Sequence, residues 1–453
     1  MATQLVEKKD LSAKGLLRRV RNIFKEIREP VVGNQGKERE INIADCCMSA
    51  LAMFKLKFSS LLQFDKGREE KVIKQNIQNL FQVKQVPCDT YMRERLDVID
   101  PKEIRPAFTT IFSALQRGKV LEKYTFMDGK YLLLSDGTGY FSSSEIHCKN
   151  CCEKHHRNGS VTYYHQFLGA VIAHPDRKRV IPICPEPIMK EDGKAKNDCE
   201  RNATERLLKD FRREHPHLPV VLVEDALAAN GPHLKLLKQL DISFITVVKP
   251  DGNQSLFNWV NDFNWGEKED KDKSQGEFCF ICEEGKEHRF RFVNGVPIND
   301  THAEFKVNFL EYWSTGKKGK VYHNTWVTDI EINKANAYTI ARGGRTRWHI
   351  ENETFNTLKN QGYHFEHNFG HGKENLSTVL ARLMMLAFLI DEAEQICCKL
   401  FQNAFKAQHS TKKYLWDLIR CFFRSYIIPS WEVLYGAIIA GNERKTVPIL
   451  DSS

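Results

Sequence analysis

The sequence predicts an α/β protein with a layered central domain and helical segments at both ends. The central segment contains unbroken apolar runs, such as the run before Asp136 and the run before Asp225, which are typical of strands covered on both faces. These runs alternate with helical patterns in the order three strands, helix, strand, helix, strand. We therefore expect a helical module over 1–125, an α/β domain over 126–375 and a helical module over 376–453.

Each strand of the central domain has a local signal. The string KYLLLSDGTGYFSS predicts a strand closed by a Gly-rich turn, with Asp136 at the carboxyl end of the strand. The strings VTYYHQFLGAVIAHP and RVIPICPEPI predict two more strands, joined by a turn at 176–178. A helix from about Cys199 to Glu214 follows, then the strand LPVVLVED ending in Asp225, the helix PHLKLLKQL and the strand SFITVVKP.

Three other segments depart from this alternation. Apolar residues at helical spacing from Leu16 to Ile27 predict a basic amphipathic helix, either a surface helix or an arm that contacts DNA. Residues from about 251 to 335 combine a charged loop with β-type runs, so we expect a β-rich insertion there. After Gly343 and Gly344, RTRWHIENETFNTLKNQG predicts one long helix.

Charge and composition narrow the classes of partner and compartment. The net charge of +9 favours an anionic partner, and nucleic acid is the first candidate. The 13 cysteines, an odd number, indicate free thiols or metal ligands in a reducing compartment. No apolar run approaches the roughly 20 residues that cross a bilayer, and the N-terminus lacks a signal-peptide pattern. We expect a cytoplasmic protein without a membrane span.

Two aspartates and a glutamate have the arrangement of a divalent-metal site. Asp136 and Asp225 both fall at the carboxyl ends of strands, and ligand chemistry in such sheets gathers at the carboxyl ends of the central strands. Hard carboxylate oxygens suit Mg²⁺ or Mn²⁺, two of which can promote phosphoryl transfer. Glu351 and Glu353 lie on opposite faces of a helix, so one of them faces the site. Glu351 is favoured because Arg347, four residues earlier, shares its face.

The strings LLLSDGTGYFSS, VVLVEDALAANG and RTRWHIENETFNTLK, in this order, resemble the DDE transposases of bacterial insertion sequences. The last string is similar to the Tyr-x2-Arg-x3-Glu-x6-Lys signature of the insertion-sequence-four-like branch, with Arg347 and Glu351 at its Arg-x3-Glu portion. Gly344 stands at the Tyr position, and Lys359 lies one residue beyond the Lys position. The resemblance implies a ribonuclease-H-like mixed sheet flanked by helices.

The same resemblance implies a reaction and partners. Asp136, Asp225 and Glu351 would bind two Mg²⁺ or Mn²⁺ ions, cleave phosphodiesters at the ends of the element and join the 3′-hydroxyl ends to target DNA. Double-stranded DNA, a homodimer on that DNA and a bacterial, nucleoid-associated location are implied as well. A metal-dependent nuclease of the same fold without strand transfer, and an inactive DNA-binding relic, remain alternatives.

Several further side chains are candidates for the site. Glu200 begins a helix from which it can add a carboxylate to the metals, although an ordinary helix start explains it equally. His165 either approaches the phosphate or is a hydrogen-bonded core histidine. Trp326 either stacks on a flipped base or packs within the sheet. The side chains expected to contact DNA or phosphate are Arg345, Arg347, Lys359 and Trp326.

A second metal site is suggested by the string IHCKNCCEKHHRNG. Cys148 and Cys151 have the Cys-x2-Cys spacing of zinc sites, and His155 with His156 would complete four ligands. The alternative is a solvated loop that carries unligated thiols and imidazoles.

Overall fold

The fold is a mixed α/β arrangement in which a sheet is flanked by helices. It is taken from a computed structural model of the chain. The structure describes residues 10–29, 41–190, 200–262, 275–283, 285–315, 319, 321–408 and 411–441.

Eleven described strands form one mixed sheet. The strands are β1 (Tyr131–Ser143), β2 (Cys152–His155), β3 (Val161–His174), β4 (Arg177–Pro182), β5 (Glu186–Ile188), β6 (Val220–Glu224), β7 (Ser243–Val247), β8 (Gln275–Ile281), β9 (Glu287–Pro297), β10 (Lys306–Thr315) and β11 (Val321–Thr328). Their order across the sheet is β2, β3, β1, β6, β7, β11, β10, β9, β8, and both β4 and β5 pair with β3.

The central strands combine antiparallel and parallel pairing. β1 pairs antiparallel with β3 and parallel with β6, and β6 pairs parallel with β7. The crossovers between the parallel strands are made by helices α7 (Glu200–Glu214) and α8 (Gly231–Gln239). All five residues of β6 are buried, as expected for a strand covered on both faces. The predicted order helix, strand, helix, strand is confirmed from α7 onward, whereas five described strands rather than the predicted three precede α7.

The Gly-rich turn predicted after Asp136 is wrong. β1 continues through this stretch to Ser143, with Gly137 paired to Leu168 and Gly139 paired to Gln166 of β3. These glycines are extended rather than turned, and Gly137 lies against the Glu200 carboxylate, as described below. The register shifts between Gly139 and Phe141, so Tyr140 forms a β-bulge.

The β-rich insertion continues the central sheet. β8 to β11 pair antiparallel in sequence order, and β11 pairs antiparallel with β7, with Trp326 opposite Val247. Helix α9 (Gln254–Asn261) packs against β9. The insertion therefore widens the same sheet.

Helices from the two ends of the chain pack together. Helix α12 is buried at every position from Leu376 to Glu394, and it contacts α2 as well as β4. Lys55 of α2 donates a hydrogen bond of 2.7 Å from Nζ to Asp391 of α12, and both side chains are almost fully buried. The segments predicted as separate terminal modules thus share one interior. The helices are α1 (Ala13–Glu26), α2 (Ile43–Lys55), α3 (Leu61–Glu69), α4 (Lys71–Phe81), α5 (Asp89–Asp97), α6 (Arg105–Arg117), α12 (Leu376–Cys397), α13 (Lys399–Ala407), α14 (Lys412–Ser425) and α15 (Trp431–Ala440).

The helix predicted after Gly344 is interrupted. Helix α10 (Ala337–Arg345) ends within the predicted span, and a π-helix (Ile350–Phe355) precedes the short helix α11 (Asn356–Asn360). Single turns of π-helix are rare and often mark functional positions. Among the described helices, including α12, none combines the length and apolarity needed to span a bilayer.

Candidate functional site

A cleft of about 290 Å³ opens beside β1 and β6, and its wall is mainly polar side chains. Asp136, Asp225 and Glu200 all line it. The parallel pairing of β1 with β6 ends at Leu134 and Val223, so the chain diverges just where the two aspartates stand. The structure therefore brings three of the predicted carboxylates to one site.

Asp136 is held by two donors on β1 and on the helical segment after the insertion. The backbone N–H of Gly137 donates to its Oδ1 at 3.0 Å, and Arg347 donates from Nη1 to its Oδ2 at 3.0 Å. The predicted proximity of Arg347 to the carboxylates is thus present as a direct ion pair.

Asp225 and Glu200 approach from the other two elements. Asp225 follows β6 directly, and its Oδ1 accepts a hydrogen bond of 2.9 Å from the backbone N–H of Leu227. Glu200 begins α7 and lies over Gly137, where a Cβ would come within 3.0 Å of Glu200 Oε2. A Cβ at position 137 would be in tighter than ordinary contact with the Glu200 carboxylate, which would have to shift by a few tenths of an ångström.

The cleft concentrates negative charge. Burial raises the pKa of Asp136, the Arg347 guanidinium lowers it, and the nearby Asp225 and Glu351 carboxylates raise it further, with a net upward shift. Burial together with the charges of Asp136 and Asp225 likewise raises the pKa of Glu200. Carboxylates that repel one another in a half-buried cleft favour a bound cation, and their oxygen atoms are the donors that Mg²⁺ prefers.

Glu351 and Glu353 both lie in the π-helix, and each has a different electrostatic neighbour. Glu351 contributes to the field at Asp136, whereas Glu353 contributes to the field at His349. Glu351 is exposed and does not line the cleft itself. Of the two, Glu351 is therefore the carboxylate on the Asp136 side.

The predicted DNA contacts divide into exposed and buried side chains. Arg345 is exposed, with its guanidinium 4.5 Å from the centre of the Tyr322 ring. Lys359 is exposed and pairs with Glu366 at 2.9 Å. Trp326, by contrast, is fully buried, so a base-stacking role does not fit this structure and packing within the sheet is its role here.

Gly344 explains why Trp326 is enclosed. A Cβ on Gly344 would lie 2.4 Å from Trp326 Nε1, so only glycine allows α10 to pack this closely on β11. Gly344 stands where the resembled signature has a tyrosine, and the indole occupies the space that a larger side chain would need.

The sequence did not single out a polar pair that also lines the cleft. Glu224 ends β6; it accepts a hydrogen bond of 3.1 Å from Ser135 Oγ, and its Oε2 lies 2.6 Å from His233 Nε2. Burial disfavours the charged imidazole, but the Glu224 carboxylate outweighs it and raises the pKa of His233. The signal for Glu224 in the sequence is its place beside Asp225 at the end of VVLVED, and the predicted site includes only Asp225.

A separate cluster of sulfur and nitrogen atoms lies at the far end of β1. Cys148, Cys151, His165 and His371 each offer one ligand atom, and these four atoms lie within 4.8 Å of one another. All but Cys148 are buried. The hydrogen bond between the two thiols lowers the pKa of Cys148 and raises that of Cys151, because they share a proton. This cluster has the donor set and spacing to hold a metal ion.

The two histidines proposed from sequence are replaced in the cluster. His155 ends β2, where it is exposed and lies 3.4 Å from Glu153, and His156 Nε2 lies 2.7 Å from Thr162 Oγ1. Neither belongs to the group of described side chains whose ligand atoms lie within 4.8 Å of one another. The sequence predicts His165 as a phosphate contact or a core histidine, and it does not predict His371 as a ligand.

The chain matches no protein-family model and no curated protein. Its function is therefore argued from the residues that the fold brings together.

Proposed function

We propose that the protein is a DDE transposase that hydrolyses DNA phosphodiesters and transfers the freed strand to target DNA. The observation that carries the proposal is the convergence of Asp136, Asp225 and Glu200 in one cleft, with Glu351 on the Asp136 side. The mixed sheet with helices on its flanks supports a ribonuclease-H-like core. The Arg-x3-Glu spacing of Arg347 and Glu351 is consistent with this branch of enzymes.

The residues present fit divalent cations. Asp136, Asp225 and Glu351 would hold two Mg²⁺ or Mn²⁺ ions, and Glu200 is a fourth carboxylate on the same cleft. The ions would supply Lewis-acid activation of water and neutralise charge on the phosphate. The repulsion that raises the pKa of Asp136 and Glu200 is relieved by such cations.

The protein side chains position the substrate. Arg347 fixes the Asp136 carboxylate and presents positive charge beside the cleft, where a phosphate approaches. Arg345 is exposed two residues away and extends this positive surface. Together with the net charge of +9, these groups suit contact with the backbone of double-stranded DNA. Synapsis of two element ends would require a homodimer on DNA.

The decisive experiment uses labelled duplexes covering the DNA that flanks the gene, incubated with the purified protein and a target plasmid. The proposal expects products with 3′-hydroxyl ends that become joined to the plasmid with Mg²⁺ and are absent with EDTA. Cleavage without joining would assign a nuclease of the same fold, because hydrolysis and strand transfer use the same carboxylates. Binding without cleavage would assign an inactive relic.

A further inference from the structure

The Cys148, Cys151, His165 and His371 cluster draws on three distant parts of the chain. The cysteines lie in the turn between β1 and β2, and His165 lies on β3. His371 lies in the segment 361–375, between α11 and α12, and is 220 positions from Cys151 in sequence. The four side chains are therefore brought together by the fold and not by closeness in sequence.

The distances within the cluster match tetrahedral zinc. The two Sγ atoms are 4.0 Å apart, His165 Nε2 lies 3.4 Å from each of them, and His371 Nε2 lies 3.3 Å from Cys151 Sγ. Zn–S bonds of about 2.3 Å and Zn–N bonds of about 2.0 Å at tetrahedral angles separate two sulfurs by about 3.8 Å and sulfur from nitrogen by about 3.5 Å. A disulfide would require sulfurs about 2.05 Å apart.

Aromatic rings and the burial of Cys151, His165 and His371 shield most of the cluster from solvent. His165 is 1% exposed and His371 is 8% exposed. Tyr140 stacks on the His165 ring at 5.7 Å, and Phe141 lies 4.5 Å from the His371 ring centre. The β-bulge at Tyr140 places both aromatic residues beside the cluster. Four protein ligands in such an enclosure leave no open position for water, which is the pattern of a structural site.

Hydrogen bonds to α5 and to the cysteine turn hold the segment that carries His371 in place. Asp97, at the end of α5, accepts hydrogen bonds of 2.9 Å from four backbone N–H groups that closely follow His371 in the chain. The donors are Lys373, Glu374, Asn375 and Leu376. Gly372 has a φ of +70° and leaves no room for a Cβ beside Asp97. Asn150, in the cysteine turn, donates a hydrogen bond of 2.6 Å to the carbonyl of Glu374.

We propose that Cys148, Cys151, His165 and His371 bind one Zn²⁺ ion that clamps the segment 361–375 onto β3 and the cysteine turn. The ion is structural, and its binding does not depend on the proposed transposase activity. Because the segment connects α11 to α12, the clamp fixes the chain immediately after the helical stretch that carries Glu351.

The test measures metal content and segment protection in the full-length protein. We expect about one zinc per chain in wild type, and near zero in the His371→Ala variant. Replacement by Co²⁺ should give the absorption bands of a tetrahedral ion with thiolate ligands. Limited proteolysis within 361–375 should increase at least about tenfold on zinc removal, as a locally ordered segment is released.

Two further variants keep the result interpretable. His371→Cys supplies another zinc ligand, so it should retain the ion even if His371→Ala folds poorly, with a stronger thiolate-to-cobalt band. His155→Asn with His156→Asn, a matched pair outside the cluster, should keep the full zinc content. Wild-type protein without zinc, or loss of zinc only in the His155 and His156 variant, would overturn the proposal.

Discussion

Arg347 donates a 3.0 Å hydrogen bond to Asp136, a residue 211 positions earlier in the chain. The contact joins the first strand of the sheet to the helical segment that follows the inserted strands. Burial raises the pKa of Asp136, and this guanidinium is the largest of the influences that lower it. After the inserted strands, the chain therefore returns to the cleft that Asp136 lines.

Removing this guanidinium should move the pH dependence of DNA cleavage. Arg347 lowers the pKa of Asp136, so the Arg347→Ala change raises that pKa and protonates the carboxylate at a higher pH. We expect the acidic limb of the cleavage profile to shift toward higher pH, and the rate at neutral pH to fall about 100-fold. Cleavage rates from acidic to mildly alkaline pH measure both effects.

Arg345→Ala is the matched control for this change. Arg345 is exposed and makes its ring contact with Tyr322, so its loss should weaken DNA binding without moving the acidic limb. An unshifted limb in the Arg347→Ala variant, or an equal shift in both variants, would show that the ion pair does not control Asp136.

Glu351→Gln and Glu353→Gln test which face of the π-helix serves the cleft. Glu351 acts on Asp136, whereas Glu353 acts on His349. We expect the Glu351 variant to lose Mg²⁺-dependent cleavage at least about 1000-fold, with DNA binding retained, and the Glu353 variant to stay active. Single-turnover cleavage and a gel-shift assay make the comparison. The reverse pattern would place Glu353 at the metals.

Gly344→Ala should destabilise the protein through one contact. Its new methyl group would lie 2.4 Å from Trp326 Nε1, and overpacking of this kind costs about 1–3 kcal/mol. Gly436→Ala is the control, because nothing lies within 4 Å of a Cβ there and the position is inside α15. That control should be neutral or gain up to about 1 kcal/mol. Urea unfolding followed by tryptophan fluorescence measures both, and equal stabilities would contradict the packing argument.

His215 should make the fold sensitive to acid. Burial beside Arg212 and Arg105 lowers its pKa from 6.5 to about 4, and its ring lies 4.3 Å from the ring centre of Phe112. Between these two pH values the unfolded chain binds the proton and the folded chain does not, so stability falls as pH drops through this window. The loss is at most about 3 kcal/mol.

The His215→Gln variant isolates this contribution from other titrating groups. Its urea midpoint should fall less than that of wild type when the pH is lowered from neutral to about the lower end of the window. Equal losses in the two proteins would show that His215 binds its proton at the same pH in the folded and unfolded chains.

The order of central strands was predictable because each signal is local. The apolar runs before Asp136 and Asp225 have the length of buried strands, and the helical patterns between them are clear. The placement of the two acids at the carboxyl ends of central strands then follows from general sheet geometry. The turn predicted at the glycines after Asp136 is wrong, because glycine is compatible with a turn and with a close contact equally. The position of Glu200 above Gly137 is evident only in the fold.

Long-range contacts set the limit of that reasoning. His371 joins Cys151 from 220 positions away, and no period or spacing in the sequence links the two. Trp326 lies on β11, and nothing in the sequence of that strand indicates that α10 packs over the indole at Gly344. The prediction of two terminal helical modules likewise rests on sequence order alone. In the fold, α12 of one predicted module packs on α2 of the other.

The burial of Lys55 against Asp391 has a consequence for synthesis on the ribosome. The two residues are 336 positions apart, so α2 carries a charged side chain that gains its partner only when nearly the whole chain has been made. Helices α1, α4 and α5 also contact α2, but the face of α2 that packs on α12 has no cover until α12 emerges, and this incomplete state favours aggregation. Growing chains of this protein should therefore depend on chaperones that hold helical segments, and removal of α12 should leave the N-terminal helices unable to fold.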